Sequence, residues 1–66
     1  MNMYKVYFKH SKVTNSGYRH QYTDWTLVDA GNENEAIYYG RMWVRENRFV
    51  PGCKNYVRIL EVKEIH

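Results

Sequence analysis

Twelve consecutive residues, Trp25-Thr26-Leu27-Val28-Asp29-Ala30-Gly31-Asn32-Glu33-Asn34-Glu35-Ala36, spell out a strand that ends in a turn and runs straight into a capped helix. Asn32 is placed to accept the amide hydrogen of the third helical residue. Glu35 is placed to reach back to the amide of Asn32, a capping box with Asn in place of Ser or Thr. Glu33 and Glu35 also put negative charge at the positive end of the helix dipole. From there Ala36, Ile37, Gly40, Trp43, Val44 and Asn47 fall within about 120° of one another on a helical wheel, which gives the helix one buried face. Gly40 lies in the middle of that stripe, where glycine costs about 1 kcal/mol against alanine. A close approach of helix to sheet is the expected reason. Val50-Pro51-Gly52 ends the element, because Pro51 cannot continue a helix and restricts the residue before it.

Strands flank this unit. In Tyr4-Lys5-Val6-Tyr7-Phe8-Lys9 the residues Tyr4, Val6 and Phe8 share one face and Lys5, Tyr7 and Lys9 the other, the alternation of a half-buried strand. Asn15-Ser16-Gly17 is a hairpin turn signal. A second strand is expected from about Tyr18 to Asp29, and a third from Tyr56 to Ile65. Both change phase: Trp25 and Leu27 share one face while Val28 and Ala30 share the other, and the last strand switches between Ile59 and Leu60. Such a switch marks a β-bulge or a strand covered on both faces. The order is ββαβ, and a right-handed crossover through the helix makes strands two and three run the same way. The expected fold is α+β, with a three-stranded antiparallel or mixed sheet of order 2-1-3 and one helix on one face. The other face is left for water, a partner or a second copy.

At 66 residues the chain reads as a single domain, residues 1–66. A domain of this size buries only about 60% of the surface its unfolded chain exposes. Seven Tyr, two Trp and two Phe are more aromatics than one small core needs, and exposed aromatics are common material of interfaces. The lone Cys53 cannot form an intramolecular disulfide, and a secreted domain this small would carry several. With no signal-like run and no long apolar segment, the expected location is the cytoplasm.

The net charge of +3 is sorted into blocks. Residues 1–23 carry Lys5, Lys9, Lys12 and Arg19 with no acid, residues 24–37 carry four acids with no base, and residues 38–58 carry five bases against Glu46. A modest positive excess suits an acidic partner without requiring nucleic acid. Catalysis is not indicated. His10, His20, His66 and Cys53 lack metal-ligand spacing, Ser11 and Ser16 lack a nucleophile-elbow context, and no phosphate-cradling motif is present. The expectation is a non-enzymatic binding module with no cofactor and no metal.

Three surfaces are candidates for binding. On the open sheet face Lys5, Tyr7 and Lys9 point outward, joined by Arg58 if Val57 and Ile59 point inward, and by Trp25 or Tyr22 according to the register of strand two. Aromatics between cations can stack bases while neutralising phosphates, although alternating Lys and Tyr is also ordinary for a solvated strand. The hairpin tip is the second surface. Two strands of about 35 Å outreach a helix of about 24 Å, so a part holding His10, Lys12, Tyr18, Arg19 and His20 should project as a basic finger. The third is the outer helix face, where Arg41, Arg45 and Arg48 cluster beside Tyr38 and Met42. Arginine forks bind carboxylates and phosphates bidentately, and cations near a helix C-terminus also simply complement its dipole.

Two resemblances carry functional implications. Ala30-Gly31-Asn32-Glu33-Asn34-Glu35-Ala36 and Val57-Arg58-Ile59-Leu60-Glu61-Val62-Lys63-Glu64-Ile65 resemble archaeal ribosomal protein LX, whose ββαβ unit has an Ala-x-Asn-Glu-x-Glu-Ala helix start and a Val-x-Ile-x-x-Val-x-x-Ile closing strand. That resemblance covers residues 30–65 and implies binding to RNA. In size and element order the whole chain resembles small phage-encoded anti-defence proteins, including anti-CRISPR proteins with a ββαβ core. This second resemblance implies a stoichiometric inhibitor that occludes a surface of a larger nucleic-acid-handling or defence complex. Its partner would be an acidic or nucleic-acid-binding host protein complex, with RNA or DNA as the alternative, and no membrane.

Overall fold

A computed structural model describes residues 2–66. It contains strand β1 (Asn2–Val13), strand β2 (Arg19–Ala30), helix α1 (Glu33–Asn47) and strand β3 (Lys54–Ile65). The sheet order is β2-β1-β3, and both pairings are antiparallel. The α+β, ββαβ architecture expected from sequence is therefore present, with β1 and β3 longer than expected and β2 of the expected length, displaced by one residue. The hairpin closes through Thr14, whose carbonyl accepts from the Gly17 amide at 2.9 Å. Gly17 has φ +86°, a left-handed conformation that glycine adopts without steric cost.

The inward face of β1 supplies Tyr4, Val6 and Phe8 to the core. Opposite them stand Val28, Thr26 and Asp24 on β2, and Glu64, Val62 and Ile59 on β3. From above, α1 buries Ala36, Gly40 and Val44. Ile37 and Trp43 are half-buried at the margins of the stripe, and Asn47 lies outside it, exposed. A Cβ at Gly40 would sit 2.7 Å from Val6 Cγ1, so the glycine is where the helix comes down onto the central strand. At the N-cap, Asn32 Oδ1 accepts from the Glu35 amide at 2.9 Å. The return bond differs from the expected box: Glu35 Oε1 accepts from the amide of Gly31, at 2.8 Å, and not from Asn32. The extended Asn32 backbone carries its own amide out of reach, and the carboxylate takes the preceding one.

The two phase changes have different causes. In β3, Tyr7 pairs with Glu61 and Phe8 with Ile59, which leaves Leu60 as an extra residue in a β-bulge. Because of it Ile59 and Val62 both face the helix. Strand β2 pairs with β1 without interruption. Its mixed phase arises because Trp25 and Leu27 are outward-facing apolar residues on a regular strand.

The hairpin tip keeps Tyr18, Arg19 and His20 exposed and Lys12 half-buried, but its setting and one of its residues, His10, are corrected. Strand β3 follows β1 to its end, pairing Lys54 with Val13, so the hairpin is backed by a third strand along its length. His10, expected in the wet part, is 2% exposed. Its Nε2 lies 2.9 Å from Asn55 Oδ1, which also accepts from the Val50 amide, while Asn55 Nδ2 donates to the carbonyls of Val50 and Cys53 at 3.0 Å. With both amide hydrogens used on carbonyls, Oδ1 must be the acceptor, so His10 Nε2 carries the hydrogen. Asn55 thus ties the turn after the helix to the central strand. Asn55→Ala is expected to cost about 2–3 kcal/mol, since it strands several polar groups in part-buried positions. Urea denaturation checks it, and a loss under about 0.5 kcal/mol would contradict this role.

Candidate functional site

One helix covers one face of the sheet and leaves the other bare. On that bare face the register sets Lys5, Tyr7, Lys9 and Ser11 of β1 beside Leu27, Trp25, Thr23 and Gln21 of β2, and beside Lys63, Glu61, Arg58 and Tyr56 of β3. Arg58 joins the face as expected, because Val57 and Ile59 point inward. Of the two alternatives on strand two, Trp25 is the one on this face. Tyr22 is not: it faces the helix side, with its ring edge-on to Phe8 at 6.5 Å and to His10 at 5.5 Å.

The face divides lengthwise into two halves. Toward the chain termini, Met3, Trp25, Leu27, Leu60 and Ile65 are exposed, the middle three at 46–47%. Charge there is balanced, with Lys5 and Lys63 against Asp29 and Glu61. Lys63 Nζ lies 3.8 Å from Glu61, and Lys5 Nζ sits 4.2 Å from the centre of the Trp25 ring and 5.2 Å from that of Tyr7. A hollow of about 360 Å³ opens between Tyr7, Trp25, Leu60, Thr23 and Asp24. Toward the hairpin, Lys9, Arg19, Lys54 and Arg58 lie on the same face with no acid among them. Residues remote in sequence make this half: Lys9 and Arg58 are direct cross-strand partners, and the Arg19 guanidinium is 5.9 Å from the Tyr56 ring.

The other expected residues disperse. Lys12 faces the helix side, where with His10, His20, Tyr22, Arg48 and Val50 it lines a separate groove of about 230 Å³ beyond the helix end. The arginine stripe on α1 is reduced to Arg41 and Arg45, both exposed beside exposed Tyr38. Arg48 leaves it for the sheet edge, as its Nη2 bonds Asp24 Oδ2 at 3.2 Å and its guanidinium lies 5.2 Å from the Trp43 ring. Arg48 falls at the C-cap, past the last helical turn, so its side chain no longer follows the helical wheel. Sequence reasoning overlooked Leu27, Leu60, Lys63 and Tyr56 as surface residues. The signal for Leu60 was the phase break itself, since a bulge residue is free to point away from the core.

Among the described residues no three His, Cys, Asp or Glu side chains group as a metal site, and no helix is long and apolar enough to cross a membrane. Comparison of the chain with protein families, with characterised proteins and with solved structures finds no significant match.

Proposed function

We propose that the chain is a non-enzymatic binding protein of the phage or mobile-element inhibitor type, which lays its bare sheet face on a protein of a larger nucleic-acid-handling or defence complex and occludes it. The observation that carries this reading is the two-part face: an apolar, charge-balanced end containing Trp25, Leu27 and Leu60, continuous with an acid-free cationic end. Apolar groups of this size left in water mark contact surfaces, and aromatic and arginine side chains are the residues interfaces favour. The molecule measures 44 × 16 × 14 Å, so the face spans roughly 700 Å² (44 × 16). That is close to the roughly 800 Å² each partner contributes to a standard interface.

An acidic protein surface fits the cationic end. A second copy fits it poorly. Full overlap of two identical faces sets four cations against four cations, or against an end whose two acids are already matched by two lysines.

The test is capture from nuclease-treated host lysate, with the recovered complex titrated against variants of known fold. Trp25→Ala is expected to weaken binding by about 30-fold or more, the loss of one interface anchor. Arg41→Ala with Arg45→Ala on the opposite side of the molecule should leave it within about twofold. Capture that disappears with nuclease, or that depends on Arg41 and Arg45 instead of Trp25, would overturn the reading.

A further inference from the structure

The cationic end of the bare face encloses a hollow of about 280 Å³ lined by Lys9, Ser11, Arg19, Gln21, Tyr56 and Arg58. We propose that this hollow is a binding site for a phosphate ester, of the kind a nucleotide carries, with the Tyr56 ring beside the base. The hollow lies within the cationic end of the docking face, but the recess itself, the Lys9–Arg58 pairing and the Ser11 hydroxyl add to that reading, and binding there does not require a protein partner.

First, the charges are uncompensated. Among the described residues the ion pairs are Arg48 with Asp24 and Lys63 with Glu61, so Lys9, Arg19 and Arg58 have no carboxylate partner. Second, the arrangement opposes folding. Lys9 and Arg58 stand directly across the sheet from each other, and like charges opposite one another on neighbouring strands are destabilising. A bound anion would remove that repulsion. Third, polar groups line the floor. Ser11 is buried, yet its hydroxyl donates only to Gln21 Oε1 across 3.5 Å, at the limit of a hydrogen bond. A phosphate oxygen is a stronger acceptor than that amide.

Three cations around one recess match a doubly charged phosphate better than a carboxylate, whose single charge one arginine fork satisfies. Tyr56 is half out of the sheet with Arg19 over it, an aromatic surface on which a base can stack.

Amide NMR spectra of the wild-type protein, recorded against inorganic phosphate, uridine monophosphate, a short oligothymidylate and an oligoglutamate peptide, test the site without requiring a variant to fold. Phosphate is expected to shift Ser11, Gln21, Tyr56 and Arg58 with a dissociation constant of about 1 mM, and the nucleotide to bind about tenfold tighter. A nucleotide as the natural source confines the shifts to the hollow. A strand as the source extends them along the face to Tyr7 and Trp25 and adds a steep salt dependence. Arg58→Gln should abolish the phosphate shifts while raising the melting temperature by about 3 °C through relief of the Lys9 repulsion. Equal binding of oligoglutamate, shifts centred on Arg41 and Arg45, or a lower melting temperature for Arg58→Gln would each overturn the assignment.

Discussion

Phe8→Ala is expected to unfold the protein, or nearly so, under conditions in which the wild type is folded. Phe8 is fully enclosed on the central strand, with Trp43 of α1 at 6.2 Å and Tyr22 of β2 at 6.5 Å between ring centres. Removing a buried phenyl ring costs about 3–5 kcal/mol through lost transfer energy and the cavity left behind. A domain of this length has roughly 3–10 kcal/mol in all. The other large side chains at full burial, Val6 and Val44, are already enclosed and have little freedom to collapse into a gap. Urea denaturation followed by tryptophan fluorescence and circular dichroism measures the effect. A loss below about 1.5 kcal/mol would mean that the ring is not enclosed as described.

Gly40→Leu is expected to cost at least about 3 kcal/mol, beyond the usual range for an overpacked core because the obstacle is a β-branched side chain on a central strand. Even a methyl at Gly40 would lie 2.7 Å from Val6 Cγ1 and 3.3 Å from its other carbons. Gly40→Ala therefore sets a gain of about 1 kcal/mol in helix propensity against a clash that Val6 cannot escape by rotating. The clash should win. A double-mutant cycle isolates it: with Val6→Ala as background, Gly40→Ala should become neutral or stabilising, a coupling of about 1–3 kcal/mol. Equal effects in both backgrounds would show that helix and sheet can separate at no cost.

Legibility in the sequence tracked how local each cause is. The helix start was readable because Asn32, Glu35 and the apolar stripe lie within a few turns of one another, and the glycine in that stripe pointed to its own contact. Sheet order followed from the ββαβ sequence and the handedness of crossovers. What failed depended on partners far along the chain. Tyr22 and Trp25 could not be sorted between faces, since only pairing with β1 decides it. His10 looked like a wet hairpin residue because its hydrogen-bond partner, Asn55, lies forty-five positions away. Arg48 left the helical stripe because Asp24 stands at the sheet edge within its reach. In the candidate site, Lys5, Tyr7 and Lys9 were legible from alternation, and Arg58 on the condition that Val57 and Ile59 point inward. Tyr56 and Leu60 were not, since the first lies beyond the clear pattern and the second turns outward only through the bulge.

The position of β1 between β2 and β3 bears on how the chain acquires its structure during synthesis. The middle strand is made first and one of its two neighbours last, with Met3 pairing to Ile65. A nascent chain that has emerged as far as α1 therefore holds one hairpin and a helix, with a whole side of β1 still unpaired. Such an intermediate exposes a hydrogen-bonding edge next to Val6 and Phe8, the kind of edge that recruits other chains. The domain can close only after β3 has left the ribosome. Folding is then governed by the pairing of β1 with β3, strands separated by the hairpin and the helix, and such non-local pairing is intrinsically slow.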